Sequence, residues 1–183
     1  MGNESLSKRI DETHRIYRQV TERLIENSTS ISAMESCTSG LIASLITDTA
    51  GASSVFRGSL VTYSNEAKIR FGVPEEIIKG YGVYSEETVT AMASVCRTAF
   101  CSDIGIGVSG SLGTADPNNS DSVPGEVWYA VCAEGHRKQG RIVLSCESTR
   151  FEDKLRIAAS VGGSILSLLN DMTSNEAGRR KSD

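Results

Sequence analysis

The sequence predicts an α/β fold: a three-layer α/β/α sandwich with a mixed sheet, in a single domain. Three observations predict it. Segments of helical and strand period alternate through the first two thirds of the chain. Two strand-like runs then follow one another around Gly135 as a hairpin. Finally, 183 residues that are 39% hydrophobic, with 17 Gly and only 3 Pro, have the length and composition of one domain with a full core.

The elements follow in order. Over residues 5–27, Leu6, Ile10, Thr13, Tyr17, Val20 and Leu24 recur at steps of three and four, the stripe of an amphipathic helix. Residues 30–34 read as a short buried strand. Residues 38–50 read as a helix with Leu41, Ile42, Leu45 and Ile46 on its apolar face, closed by Gly51. Residues 55–63 alternate as a strand, and residues 65–71 form a helix ending at Gly72. Pro74 opens a further helical turn whose first residues are acidic, as the helix dipole favours. Ser85-Glu86-Glu87-Thr88 is a capping pattern for a helix running to about Phe100. Residues 104–108 are a strand that runs into Ser109-Gly110-Ser111-Leu112-Gly113 and a polar loop. Strands over residues 125–133 and 141–147 make the hairpin, and residues 151–169 the closing helix. The domain spans residues 1–172, and the polar segment 173–183 is expected to be a disordered tail.

Composition excludes several function classes. Lys and Arg total 19 against 23 Asp and Glu, a net charge of −4, so nothing in the charge balance predicts electrostatic capture of a nucleic acid. One Trp and 5% aromatic residues leave little for base stacking. No apolar run approaches a membrane span, and the N-terminal residues are too charged for a secretory signal. The five cysteines form no CxxC pair and read as reduced thiols of a cytoplasmic protein. The two histidines, His14 and His136, have no partner at ligand spacing, so neither a metal site nor a Ser-His-Asp triad is expected. The Gly105-Ile106-Gly107 run lies inside a strand and lacks a third glycine in register, so it is no dinucleotide fingerprint.

Ligands of open α/β sheets sit beyond the carboxyl ends of strands, and three segments lie there. In Met34-Glu35-Ser36-Cys37-Thr38-Ser39-Gly40, small hydroxyl residues precede a helix. They leave amides that can receive a phosphate, a carboxylate or a developing oxyanion; ordinary capping by Ser36 or Thr38 is the commoner reading. In Tyr63-Ser64-Asn65-Glu66-Ala67-Lys68, a lysine held near a serine hydroxyl and partly desolvated could serve as a general base without histidine. A helix start with solvated Glu66 and Lys68 is the commoner reading here too. In Ser109-Gly110-Ser111-Leu112-Gly113, glycine permits close approach of backbone to a ligand, or simply a flexible crossing.

Taken together the blocks are specific. Glu35-Ser36-Cys37-Thr38-Ser39-Gly40-Leu41-Ile42-Ala43 is followed by Thr47-Asp48, Ala50-Gly51-Ala52-Ser53 and Val61-Thr62-Tyr63-Ser64-Asn65-Glu66-Ala67-Lys68. Gly72-Val73, Val83-Tyr84-Ser85-Glu86-Glu87, Ser109-Gly110 and Pro124-Gly125-Glu126-Val127-Trp128 complete the series. In that order and spacing, over roughly residues 8–170, the chain resembles the C-terminal domain of the CinA competence/damage-inducible proteins. The resemblance implies a stand-alone nicotinamide-nucleotide amidase of pyridine nucleotide salvage, converting nicotinamide mononucleotide to nicotinate mononucleotide and ammonia. The activity of the N-terminal domain of full-length CinA is not carried over.

The resemblance also implies roles. Ser36 would be the nucleophile, Lys68 its general base and Tyr63 a hydrogen-bonding partner that orients the pair. Cys37, Thr38, Ser39, Gly40, Asn65, Ser109, Gly110 and Ser111 would contact substrate, with Arg150 the first candidate for its phosphate and Arg156 the alternative. It implies a homo-oligomer and no cofactor or metal. The chain departs from the family pattern in three places. Gly110-Ser111-Leu112-Gly113-Thr114-Ala115-Asp116-Pro117 stands where a Gly-Ile-Ala-Gly-Pro loop is common, Ser148-Thr149-Arg150 where Gly-Asp-Arg is common, and Thr38-Ser39-Gly40 where Thr-Gly-Gly is common. These changes fall in the substrate loop, so two further readings stand beside the first: an amidase for another small amide, and a non-catalytic nucleotide-binding module. The last would hold Ser36 and Lys68 too far apart to hydrogen-bond.

Overall fold

A computed structural model describes residues 2–117, 119, 122–145 and 147–179. Helix α1 (Gly2–Glu26) leads into strand β1 (Ile31–Glu35), helix α2 (Leu41–Thr47) and strand β2 (Phe56–Val61). Helices α3 (Asn65–Arg70), α4 (Glu75–Tyr81) and α5 (Glu86–Ala99) then cross to strand β3 (Ile104–Gly110). The hairpin of β4 (Glu126–Ala133) and β5 (His136–Val143) follows, and α6 (Arg150–Arg179) closes the chain. The five strands form one sheet in the order β2-β1-β3-β4-β5. β1 pairs in parallel with β2 and β3, while β4 and β5 add in antiparallel sense. The mixed sheet of an α/β domain is therefore as the alternation of segments predicts.

Period-two alternation assigns the faces. Ile31, Ala33, Ile106, Val108, Val127, Tyr129 and Val131 pack in one core with Tyr17, Val20 and Leu24 of α1, Ile42 and Ile46 of α2, and Ile157, Val161 and Ile165 of α6. Met34 packs on the opposite face with Met92 and Cys96 of α5, and Ala130 and Cys132 pack there with Val89 and Ala93. On β3 this second face is Gly105 and Gly107. A Cβ on either would lie 2.0 Å from a backbone carbonyl of α5, Ala93 O and Val89 O respectively. The Gly-Ile-Gly run thus lets a helix rest directly on the strand.

Several boundaries differ from the sequence expectation, and four of them bear on the architecture. α2 begins at Leu41 rather than near Thr38, because Ser39 and Gly40 take left-handed backbone conformations that no helix continues through. β3 runs to Gly110, so Ser109 and Gly110 are strand residues and not loop. β5 spans His136–Val143 rather than 141–147. Ala133 pairs with His136 across a two-residue turn with Gly135 left-handed, and the polar residues of β5 reflect an edge strand with one solvated face. α6 continues to Arg179, through most of the segment expected as a tail; residues 180–183 lie outside the described residues. No helix among the described residues is long and apolar enough to cross a membrane.

The sheet topology places the site. β1 lies between β2 and β3; its crossover runs through α2 on one face, and that of β2 runs through α3–α5 on the other. A crevice opens where such connections diverge, beyond the strands' carboxyl ends. Glu35 is in register with Val61 and with Val108, so Ser36 and Thr62 leave the sheet at the level of Ser109.

Candidate active site

The exit from β1 is held by two buried groups. Ser36 N–H still donates to Val108 O at 3.0 Å, which keeps Ser36 at the sheet edge. Glu35, fully buried, turns its carboxylate to the opening of α2. There it accepts from the amides of Gly40 (3.0 Å), Ile42 (3.2 Å) and Ala43 (3.0 Å), and from Ser59 Oγ at 3.4 Å. A carboxylate at a helix N-terminus satisfies donors that are otherwise orphaned and complements the dipole. The capping of α2 therefore comes from Glu35, not from Ser36 or Thr38, and the Gly40 amide is taken. Ser39 N–H is also engaged, with Ser36 O at 3.1 Å. Of the amides in this turn, that of Cys37 bonds its own sulfur, and that of Thr38 meets no acceptor among the described residues.

Lys68 arrives from α3. Ser64 caps that helix by accepting from Ala67 N–H at 3.1 Å, which orients its first turn over the end of β2. Lys68 is only 2% exposed, and its Nζ donates to Ser36 Oγ at 3.2 Å and to Thr62 O at 3.0 Å. Burial draws its pKa down from 10.5 to about 8, against the opposing pull of Cys37, Asp116 and Glu66. A neutral amine is thereby accessible near neutral pH, one hydrogen bond from a serine hydroxyl. Cys37, the neighbouring candidate nucleophile, is different: burial pushes its thiol up to about 12, so it stays protonated and unreactive. The 3.2 Å contact is also the opposite of what a non-catalytic module predicts for these residues.

Ser36 forms part of the floor of a cavity of about 390 Å³. Its walls come from three places: residues 63–66 after β2, Tyr84 before α5, and the loop after β3 from Gly110 to Asn119; Arg150 of α6 closes one side. Arg150 donates to Leu112 O at 2.7 Å and to Tyr63 Oη at 3.3 Å. Those two bonds leave further guanidinium N–H groups for a ligand. Tyr63 is 63% exposed, and its hydroxyl meets Arg150 rather than Ser36 or Lys68. Elsewhere in the lining Asp116 accepts from Tyr84 Oη at 2.8 Å and from the Asn119 amide, while Asn119 accepts from Asn65 at 2.7 Å.

Of the residues singled out in the sequence, Ser36, Cys37, Tyr63, Asn65, Gly110, Ser111 and Arg150 line this cavity, with Lys68 beneath Ser36. Thr38, Ser39, Gly40 and Ser109 do not line it. Ser39 instead accepts from Lys154 Nζ, and Ser109 is fully buried in β3; its hydroxyl and those of Thr38 and Thr62 find no partner among the described residues. Sequence reasoning missed Tyr84, Asp116, Asn119 and Lys154. Lys154 stands one helical turn after Arg150, a spacing that sets both cations on one helix face; that signal was present. Nothing local marks Asp116 or Tyr84, whose meeting is tertiary. Among the described residues no cluster of three His, Cys, Asp or Glu side chains is arranged to hold a metal ion.

Residues 13–161 match the CinA C-terminal domain. The chain is 45% identical over 115 residues to a CinA-like protein of Fervidobacterium nodosum, covering 62% of this chain and 28% of that protein. It is 40% identical over 141 residues to a CinA-like protein of Cytophaga hutchinsonii, covering 76% of this chain and 33% of that protein. The chain thus spans about a third or less of the length of these curated relatives. Among solved structures, the competence/damage inducible protein CihA from Agrobacterium tumefaciens superposes with a TM-score of 0.78 at 24% identity, covering 86% of this chain and 95% of that one. A CinA superfamily protein from Klebsiella pneumoniae gives 0.79 at 23% identity, covering 87% and 98%. At those identities the likeness is one of fold.

Proposed function

The chain belongs to the CinA C-terminal domain family, and on that premise we propose that it is a nicotinamide-nucleotide amidase working through Ser36 and Lys68. The observation that carries the reading is the buried contact of Lys68 Nζ with Ser36 Oγ at 3.2 Å, at a cavity that joins all three strand-end segments. Neutral Lys68 takes the Ser36 proton as Oγ attacks the carboxamide carbon of nicotinamide mononucleotide. The carbonyl oxygen becomes an oxyanion, for which the amides of the turn after Ser36 are the candidate donors. Protonated Lys68 returns its proton to the departing nitrogen, the C–N bond breaks and ammonia leaves. Water, deprotonated by Lys68, then hydrolyses the Ser36 ester to nicotinate mononucleotide. Arg150, on the first turn of α6 and in the cavity lining, is suited to the phosphate. Tyr63 positions Arg150 rather than the Ser36–Lys68 pair. Free thiols at Cys37, Cys96, Cys101 and Cys132 support a reducing, cytoplasmic setting.

The test is ammonia release from nicotinamide mononucleotide by purified protein, beside Ser36→Ala and Lys68→Ala. Both variants should keep the wild-type circular dichroism and lose at least about 10³-fold in rate. A wild type that releases no ammonia overturns the reading for this substrate, and an active Lys68→Ala overturns the role of the lysine.

A further inference from the structure

The charge around the cavity is not that of a site built for an anion alone. Among the described residues that line it, two carboxylates, Asp116 and Glu66, face one guanidinium, Arg150. Glu66 is taken up by its own helix start, interacting with Ser64 and its own amide. Asp116 is held differently. Its Oδ2 accepts from Tyr84 Oη at 2.8 Å and from Asn119 Nδ2; Asn119 is in turn held by Asn65 at 2.7 Å, and Asp116 N–H is fixed to Ser122 Oγ at 2.7 Å. Four side chains from three separate segments thus fix Asp116 in the cavity lining. It is close enough to Lys68 to act on the lysine's charge. A carboxylate fixed in this way, half-buried and beside an aromatic ring, is preorganised to pair with a cation in the cavity.

We propose that Asp116 is a specificity-determining residue that selects a carboxamide carried on a cationic, N-substituted pyridinium ring over the same carboxamide on a neutral ring. The identity of the ring rests on the amidase reading; the charge preference rests on Asp116. Arg150 then faces the anionic end of the substrate and Asp116 its cationic end, so the cavity complements a zwitterion. The loop that bears Asp116 lies in the segment where the chain departs from the commoner family pattern, so selection here is a property of this loop rather than of the Ser36–Lys68 pair.

The test is equilibrium binding to full-length Ser36→Ala protein, which cannot turn substrate over. The ligands are nicotinamide mononucleotide and its reduced dihydropyridine form, which share carboxamide, ribose and phosphate and differ in ring charge. The cationic form should bind at least about tenfold more tightly. Adding Asp116→Asn should bring the two affinities within about threefold, by weakening the cation and sparing the neutral ring. Tyr84→Phe, which keeps the carboxylate but loosens it, should fall between, and it serves as the measurement if the Asn variant does not fold. Equal affinities in the parent, no binding of either ligand, or a preference unchanged by both variants overturns the proposal. Ammonia release by the wild type is measured alongside. An intact charge preference without ammonia defeats the amidase reading alone.

Discussion

Lys68 is the residue at which stability and chemistry oppose each other. It is buried and its pKa lies near 8 rather than 10.5. In the unfolded chain the amine returns to its ordinary value, so between about pH 8 and 10.5 the unfolded state binds more protons than the folded one. This group's contribution to stability therefore rises with pH through that window, and its cost is fully present below pH 8. Two outcomes are expected. The rate of ammonia release should climb with pH and level off above about 8, since the base must be neutral; a flat profile from pH 6 to 9 would contradict a lysine base. Lys68→Met should be inactive yet more stable at pH 7, by about 1–3 kcal/mol, because it replaces a buried amine by a chain of similar shape. Urea unfolding of the two proteins at pH 7 measures this, and a less stable Met variant would sink the argument.

At the scale of elements, the opening of α2 depends on a residue outside the helix. A seven-residue helix has little stability of its own, and three of its orphan amides are met by Glu35, one strand-end away. Glu35→Ala would leave those amides buried without an acceptor, at a cost of about 2–4 kcal/mol. Ser85→Ala removes an ordinary cap at α5, where Ser85 Oγ accepts from Thr88 N–H at 3.1 Å, and should cost about 1 kcal/mol. Thermal melts compare the two. A smaller loss for Glu35 than for Ser85 would mean that the carboxylate is not what holds the turn. Ser36 sits between Glu35 and the turn it anchors, so Glu35→Gln should lower the rate of ammonia release as well as the melting temperature.

Across the whole molecule, the layers meet at different tolerances. At β3 the second face is bare backbone, and α5 lies against it. Gly107→Ala places a methyl 2.0 Å from Val89 O, which is backbone and cannot step aside. A loss of more than about 3 kcal/mol is expected. Gly163 in α6 has nothing within 4 Å of where a Cβ would stand, so Gly163→Ala should stabilise by about 0.5–1 kcal/mol through helix propensity alone. Chemical denaturation separates these opposite signs, and a neutral Gly107→Ala would show that α5 is free to shift off the sheet.

The sequence by itself determined the order of the elements, because helical and strand periods are local and the apolar stripes of α1, α5 and α6 are long enough to read. It also determined which strand ends deserved attention, and the blocks around Ser36 and Lys68 named the family. What only the tertiary structure decided were the partnerships. Ser36 and Lys68 are 32 residues apart, and their contact depends on β1 and β2 pairing in register. The sequence also could not show that Glu35 caps α2, that Tyr63 serves Arg150, or that Asp116 is held by Tyr84. Each is a side-chain hydrogen bond across the crevice, and such bonds have no period to leave in the chain. The misplaced β5 has the same origin. An edge strand with a polar outer face lacks the hydrophobic alternation that marks a buried one, and its bounds came from pairing with β4.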